Sequence, residues 1–181
     1  MTRDIYDEDH EAFRSSVKEF LDREVIGNLE KYQENHGLDR EFWLAAGRAG
    51  LLGLEIPEEF GGSEANDYRF NAVLIEELAK VNMTLPSCVG IHADITAPYL
   101  VHLTNEEQRK RWLPKVASGE ILLAIGMTEP GGGSDLANLK TTAVRDGDDW
   151  IINGSKTFIT NGGSADIVVV AARTAPEQKA K

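Results

Sequence analysis

Residues 124–139 read AIGMTEPGGGSDLANL, where a short apolar run typical of a buried strand gives way to a Thr-Glu-Pro turn and three successive glycines. Glycines have no Cβ, so residues 131–133 can take φ > 0 and bring the main chain against a bulky anion such as a pyrophosphate. The hydroxyls of Thr128 and Ser134 can add directed hydrogen bonds. The alternative is an ordinary surface turn, because Gly, Pro, Ser and Asp are the common turn formers.

The residues after this loop, KTTAVRDGDDWIINGSKTFITNGGSADIVVVAAR at 140–173, predict an antiparallel β meander. Asp146-Gly147 and Asn153-Gly154 fit two-residue hairpin turns, and the residues between them are β-branched or aromatic. The sequence Asn161-Gly162-Gly163 predicts a third connection. The continuous apolar run at 167–170 then indicates a strand that is covered on both faces.

The first 120 residues predict helices. A first helix has Asp7 as its N-cap, and a second begins after Asp39 and ends at Gly50. Residues 51–66 include Pro57, Gly61 and Gly62 and predict an extended connection. The apolar residues that define the faces of the first, second and third helices recur at helical spacing; they are Phe13, Val17, Phe20 and Leu21, then Phe42, Trp43 and Ala46, then Phe70, Val73, Leu74, Leu78 and Val81.

Two more helices complete this part of the chain. Residues 86–101 are apolar enough for a largely buried helix, and Thr104 with Glu107 three residues later predicts a capping box that opens the next one. Pro114 and Gly119 are expected to end it. The fold class is therefore α+β, with an all-helical domain at 1–120 followed by an antiparallel β domain at 121–181.

Two motifs together resemble a known family. MTEPGGGSD at 127–135 and WIINGSKTFITNG at 150–162 are similar to the paired flavin-binding signatures of the acyl-CoA dehydrogenases. The resemblance continues upstream through LTNEEQRKRWLPKVASGE at 103–120 and covers essentially the whole chain, with the long-chain enzymes as the nearest subgroup. It implies a helical N-terminal domain and an incomplete middle β domain, with the family's C-terminal helical domain absent from these residues.

The resemblance also implies which residues bind FAD. In the first loop Thr128 would bond the flavin edge, and Ser134 would reach both the cofactor and the substrate. Phe158 would pack on the flavin ring; without the resemblance, an aromatic residue in an alternating strand is more often a core residue. The full set of cofactor-binding residues expected is Ile125, Met127, Thr128, Gly133, Ser134, Phe158, Ile159 and Thr160.

The activity implied is FAD-dependent α,β-dehydrogenation of a fatty acyl-CoA to a trans-2-enoyl-CoA, with an electron-transfer flavoprotein as electron acceptor. The family's catalytic base belongs to the C-terminal domain, so no carboxylate here is assigned that role, and residues 1–181 alone are expected not to dehydrogenate an acyl-CoA. The complete enzyme is expected to be a homo-oligomer. The alternatives are a related acyl-CoA oxidase or flavin monooxygenase, and a non-catalytic remnant that binds a partner or cofactor.

The composition argues against two classes of protein, those that bind nucleic acid and those that span a membrane. The net charge of −11 leaves no basic surface expected to bind nucleic acid, and no apolar run is long enough for a membrane span. The acidic start, MTRDIYDEDHEAF, is unlike a secretory or transit peptide, which predicts a cytoplasmic protein.

Glu129 is expected to be a turn or cap acceptor rather than an acid or base, and Asp135 a cap for backbone donors. Cys88 is expected to be a small core residue. The four histidines show no metal-ligand spacing, so no metal site is predicted.

Overall fold

The computed structural model describes residues 4–175, so the last six residues of the predicted β domain lie outside the described part. Its helical elements come first along the chain, and two short π-helical segments, Leu21–Val25 and Ile91–Thr96, join neighbouring α-helices. The α-helices are α1 Glu8–Phe20, α2 Leu29–Glu34, α3 Arg40–Arg48, α4 Arg69–Val81, α5 Thr84–Gly90, α6 Ala97–Leu103 and α7 Glu106–Ala117.

The starts of α1 and α3 and the end of α3 lie where the sequence predicts them. The Asp7 side chain accepts from the His10 N–H at the start of α1, and Asp39 accepts from the Phe42 N–H at 2.9 Å at the start of α3. Gly50, with φ +73°, follows the end of α3. These caps satisfy backbone donors that have no partner inside the helix.

The predicted capping box of α7 is wrong by one residue. Asn105 is the N-cap, and it exchanges hydrogen bonds with Gln108, while the Thr104 hydroxyl donates to the Leu100 carbonyl at the end of α6. Pro114 lies inside α7 instead of ending it. One missing N–H is tolerated because the same turn buries its apolar residues, and the helix ends at Ala117, two residues before Gly119, where φ is +79°.

Residues 84–103 form one continuous helical rod made of α5, the π segment and α6, which confirms the predicted buried helix at 86–101. One apolar cluster lies among α1, α3, α4 and α5. A second cluster joins Ala97, Leu113 and Val116 of the helices to Leu123 of the first strand. The helical and β parts therefore share a core.

Four strands follow: β1 Leu123–Gly126, β2 Thr142–Asp146, β3 Asp149–Asn153 and β4 Ile167–Val170. The β2 and β3 strands form the predicted antiparallel hairpin, but the turn is one residue later than predicted: Asp146 pairs with Asp149, and the loop is Gly147, at φ +62°, and Asp148. The meander prediction is wrong for the other pair, since β1 and β4 are parallel. About forty residues separate these two strands, which allows the crossover that a parallel pair requires.

Two smaller β predictions are also wrong. Asn153-Gly154 is not a hairpin turn, because no described strand continues directly after it; Gly154 is needed instead for close packing, since a Cβ there would come within 2.2 Å of the Thr141 hydroxyl oxygen. The β4 strand is covered on one face only, with Val168 43% and Val170 37% exposed. Among residues 4–175, no helix combines the length and apolar character that a membrane crossing demands.

Candidate functional site

The two motif segments lie side by side, and the residues that bond across them are 29 positions apart in sequence. The Thr157 N–H donates to the Thr128 carbonyl at 3.0 Å, and the Lys156 ammonium donates to the Met127 carbonyl at the same distance. The first loop therefore leaves β1 directly beside the segment that leads into Phe158. The structure brings together the residues that the sequence groups into two separate motifs.

Glu129 holds the base of the first loop. Its buried carboxylate accepts hydrogen bonds from the backbone N–H groups of Lys140 and Thr141, at 2.7 and 2.9 Å, from the Thr141 hydroxyl and from Lys156 at 2.9 Å. The Thr141 hydroxyl, the Lys140 N–H and the Lys156 ammonium together lower the pKa of this carboxyl to about 2. The prediction that Glu129 is a turn acceptor is confirmed. Its carboxylate oxygens accept hydrogen bonds that hold the loop, so they are not available to take a proton from a substrate.

The glycines of the first loop are not required by the backbone. Glu129 and Gly132 exchange two backbone hydrogen bonds of 2.9 and 3.1 Å around Pro130 and Gly131. None of residues 131–133 has a positive φ, contrary to the use of φ > 0 that the sequence allows. A Cβ at Gly131 or Gly132 would meet nothing within 4 Å, and at Gly133 only Thr128 Cγ2 at 3.8 Å. The glycines thus leave open space above an exposed main chain.

Phe158 stands in solvent. Its φ is +55°, in the left-handed region that non-glycine residues seldom adopt, and 92% of its surface is exposed. The alternative interpretation of Phe158 as a core residue is therefore wrong for the described part of the chain. Non-glycine residues in the left-handed region carry backbone strain, and such residues are concentrated at ligand-binding and active sites.

The remaining predicted residues divide between the strand and the loops. Ile125 lies in β1 opposite Val169 of β4, and Ile159 and Thr160 are half-buried beyond Phe158. Gly133 and Ser134 are exposed in the first loop. All of these residues except Ile125 lie in the two joined segments, and Ile125 lies in the strand from which the first loop leaves.

The predictions for Asp135 and Cys88 have different outcomes. Asp135 makes no side-chain cap at the short helix Leu136–Asn138, so that prediction is wrong; its carboxylate accepts from the Asn138 amide at 2.6 Å, which competes for the same oxygen. Cys88 is half-buried against the first apolar cluster, as expected of a small core residue, and burial raises the pKa of its thiol.

Among residues 4–175, no group of three or more His, Cys, Asp or Glu side chains could hold a metal ion.

Two buried or half-buried polar residues that the sequence did not single out tie these segments to the helices. His92 lies in the π segment, where its Nδ1 accepts from the Leu123 N–H at 3.1 Å and its Nε2 faces the Val116 carbonyl at 3.2 Å. The Asn161 amide donates to the carbonyls of Cys88 and Leu123 at 2.9 and 3.4 Å. Their partners are 24 to 73 positions away, so no local signal could have revealed them.

The helical part shares its core with the start of a β part, and two joined loops follow from the strands, so the chain is an α+β protein. The chain matches the family model described as "Acyl-CoA dehydrogenase, N-terminal domain" over residues 7–120 and that of the middle domain over residues 124–181. It belongs to the acyl-CoA dehydrogenase family.

Individual relatives support this assignment. The chain is 43% identical over 177 residues to the long-chain specific acyl-CoA dehydrogenase of Sus scrofa mitochondria, with 98% of this chain and 41% of that protein covered. A crystal structure of acyl-CoA dehydrogenase from Geobacillus kaustophilus superposes with a TM-score of 0.92 at 44% identity, covering 98% of this chain and 46% of the other.

An acyl-CoA dehydrogenase from Bacillus anthracis, solved in complex with FAD, superposes with a TM-score of 0.87 at 34% identity, covering 99% of this chain and 31% of the other. The chain therefore spans less than half the length of each of these proteins. Its helical N-terminal domain and the start of its middle β domain match theirs, which confirms the fold class.

Proposed function

We propose that this chain forms the helical wall and the flavin-binding edge of a FAD-dependent acyl-CoA dehydrogenase, which converts a fatty acyl-CoA into a trans-2-enoyl-CoA. The observation that carries the proposal is the pair of joined loops, one with glycines that the fold does not require and the other with an exposed phenylalanine. The FAD named in the Bacillus anthracis structure supports the choice of cofactor.

The residues present fit FAD. Open space above Gly131 and Gly132 would admit a phosphate or ribityl group close to the main chain, where a methyl side chain would intrude. Phe158 offers an aromatic face of the kind that packs on a planar ring. The Thr128 carbonyl accepts from the Thr157 N–H, so Thr128 lies next to this segment, and its hydroxyl would bond the flavin edge.

FAD, when bound, accepts the hydride that leaves the substrate β carbon. The residues of this chain orient the two reactants: the hydroxyls of Thr128 and Ser134 direct the cofactor, and Ser134 also reaches the thioester. Glu129 does not act as the base, because its carboxylate already accepts from four donors. In the proposal, another carboxylate of the enzyme removes the α proton.

The substrate and partners are proposed on the same basis. The 43% identity to a long-chain specific enzyme favours a long-chain fatty acyl-CoA over a short or branched one. An electron-transfer flavoprotein would reoxidise the cofactor, and the complete enzyme would be a homo-oligomer. Residues 1–181 alone are expected to bind FAD without sustained turnover, which an assay with palmitoyl-CoA and an artificial electron acceptor would check.

A glycine substitution tests the FAD site directly. Gly132→Ala is expected to weaken FAD binding by about tenfold or more, because the added methyl group occupies the open space beside the loop, while thermal stability stays the same or rises slightly. Fluorescence titration of FAD into the purified chain measures the affinity.

Gly27→Ala is the matched control, since a Cβ at Gly27 in the helical part also meets nothing within 4 Å. It should leave FAD affinity unchanged. Absence of FAD binding by the unaltered chain would contradict the proposal, as would equal affinity in the two variants.

A further inference from the structure

The segment that contains Phe158 has little packing of its own. Phe158 is almost fully exposed, and Ile159 and Thr160 are half-buried. The Thr157 N–H fastens the entry to this segment by donating to the Thr128 carbonyl. A second attachment after Thr160 is therefore needed if the Phe158 ring is to keep one position.

Asn161 supplies that second attachment. Its Nδ2 donates to the Cys88 carbonyl in the last turn of α5, at 2.9 Å, and also faces the Leu123 carbonyl at the start of β1, at 3.4 Å. Leu123 is itself held on the other side, because its N–H donates to His92. One short side chain thus joins the second motif to the point where the helices meet the sheet.

The backbone around Asn161 is wound tightly. Its φ is +63°, and its carbonyl accepts from the N–H groups of Ser164 and Ala165 at 3.0 and 2.9 Å. The Gly162 N–H donates to the Ile159 carbonyl at 2.9 Å. Asparagine suits this position because it tolerates the left-handed conformation and carries two amide donors on a short side chain.

We propose that Asn161 is a positioning residue that holds the flavin-contact segment 158–160 in place by fastening it to the carbonyls of Cys88 and Leu123. The inference rests on the proposed function, since it assigns Asn161 an indirect effect on FAD. Asn161 is not expected to touch the reacting atoms. Aspartate could not replace it, because a carboxylate would set acceptor oxygens against two carbonyl oxygens.

The test uses Asn161→Gly in the full 181-residue chain. Glycine accepts a positive φ, so this variant can adopt the same backbone conformation while it lacks the side-chain amide. Hydrogen–deuterium exchange should become about tenfold faster at residues 158–165 and stay unchanged in α5 and α7, as expected for a lost buried hydrogen bond. Asn66→Gly, at an exposed loop position, is the matched control and should not change exchange at 158–165.

FAD binding gives an independent readout. Asn161→Gly should weaken FAD about tenfold and move the visible spectrum of the bound flavin toward that of free FAD, with the thermal midpoint changed little. Asn161→Asp should have a larger effect in both experiments. A role in general stability would instead lower the midpoint and accelerate exchange throughout the helices.

The outcomes separate the two proposals. Unchanged exchange at 158–165 in Asn161→Gly would overturn the positioning role, whether or not FAD binds. Local acceleration in a chain that fails to bind FAD would support the attachment and contradict the proposed function. Normal FAD affinity together with local acceleration would overturn the link between Asn161 and the cofactor.

Discussion

His92 makes the stability of this chain sensitive to mild acid. The imidazole is completely buried, and because Nδ1 accepts from the Leu123 N–H, the ring proton sits on Nε2 and is donated to the Val116 carbonyl. Only the neutral ring fits these two partners, since a proton on Nδ1 would face the Leu123 N–H. Burial lowers the pKa of His92 from 6.5 to about 4.

The sign and size of the effect follow from linkage. The unfolded chain binds a proton at His92 near pH 6.5 and the folded chain only near pH 4, so stability is full above pH 6.5 and is lost as the pH falls toward 4. Each pKa unit corresponds to about 1.4 kcal/mol, so the shift corresponds to about 3 kcal/mol in total and about 2 kcal/mol near pH 5.

The substitution His92→Gln isolates this contribution. Glutamine keeps one donor and one acceptor but does not titrate. Urea unfolding, followed by circular dichroism, gives the free energy of unfolding near pH 5 and near pH 7 for each variant. The unaltered chain should lose about 2 kcal/mol more than His92→Gln between these two values.

The control is His102→Gln at an exposed position of α6, which should lose as much stability in acid as the unaltered chain. The reasoning is refuted if His92→Gln and the unaltered chain lose equal stability between pH 7 and pH 5.

Two further predictions concern the loops. Phe158→Ala should leave the thermal midpoint within about 1 °C, because the ring is 92% exposed, yet weaken FAD binding in a fluorescence titration; a large fall in the midpoint would show that the ring packs in a core. Glu129→Gln should accelerate hydrogen exchange at residues 128–141, because an amide cannot accept from all the donors that meet the carboxylate. The pKa of Glu129 is lowered to about 2, so its stabilising effect is lost only as the pH falls from about 4.5 toward 2, and the difference between Glu129→Gln and the unaltered chain should stay constant from about pH 6 to pH 8.

Features that depend on a few adjacent residues were predictable. Asp7 and Asp39 cap their helices because the acceptor side chain and the N–H groups it serves are three positions apart. The existence of the β2–β3 hairpin follows from the turn-forming residues near Asp146-Gly147, but its register does not, because Asp146 pairs with Asp149 and the two loop residues are Gly147 and Asp148. The position of Glu129 in a turn beside Pro130 likewise indicates a structural acceptor, which its hydrogen bonds confirm.

Where two adjacent residues could each cap the same helix, the prediction from sequence was wrong. Thr104 and Asn105 are neighbours, and each has a partner three residues later that could complete a capping box. The structure selects Asn105, because the Thr104 hydroxyl is already used by the Leu100 carbonyl of α6. Pro114 similarly marked a helix end, but the burial of Leu113 and Val116 in the second apolar cluster carries α7 past it.

The amino-acid sequence by itself determined the helical and β halves of this chain, most helix ends and the two glycine-containing motifs, because each depends on side chains within a few positions of one another. Only the tertiary structure decided that β1 and β4 are parallel, that Phe158 is exposed, and that His92 and Asn161 join the helices to the sheet. Those features require residues tens of positions apart to meet, and their free energy is gained only when the whole core packs.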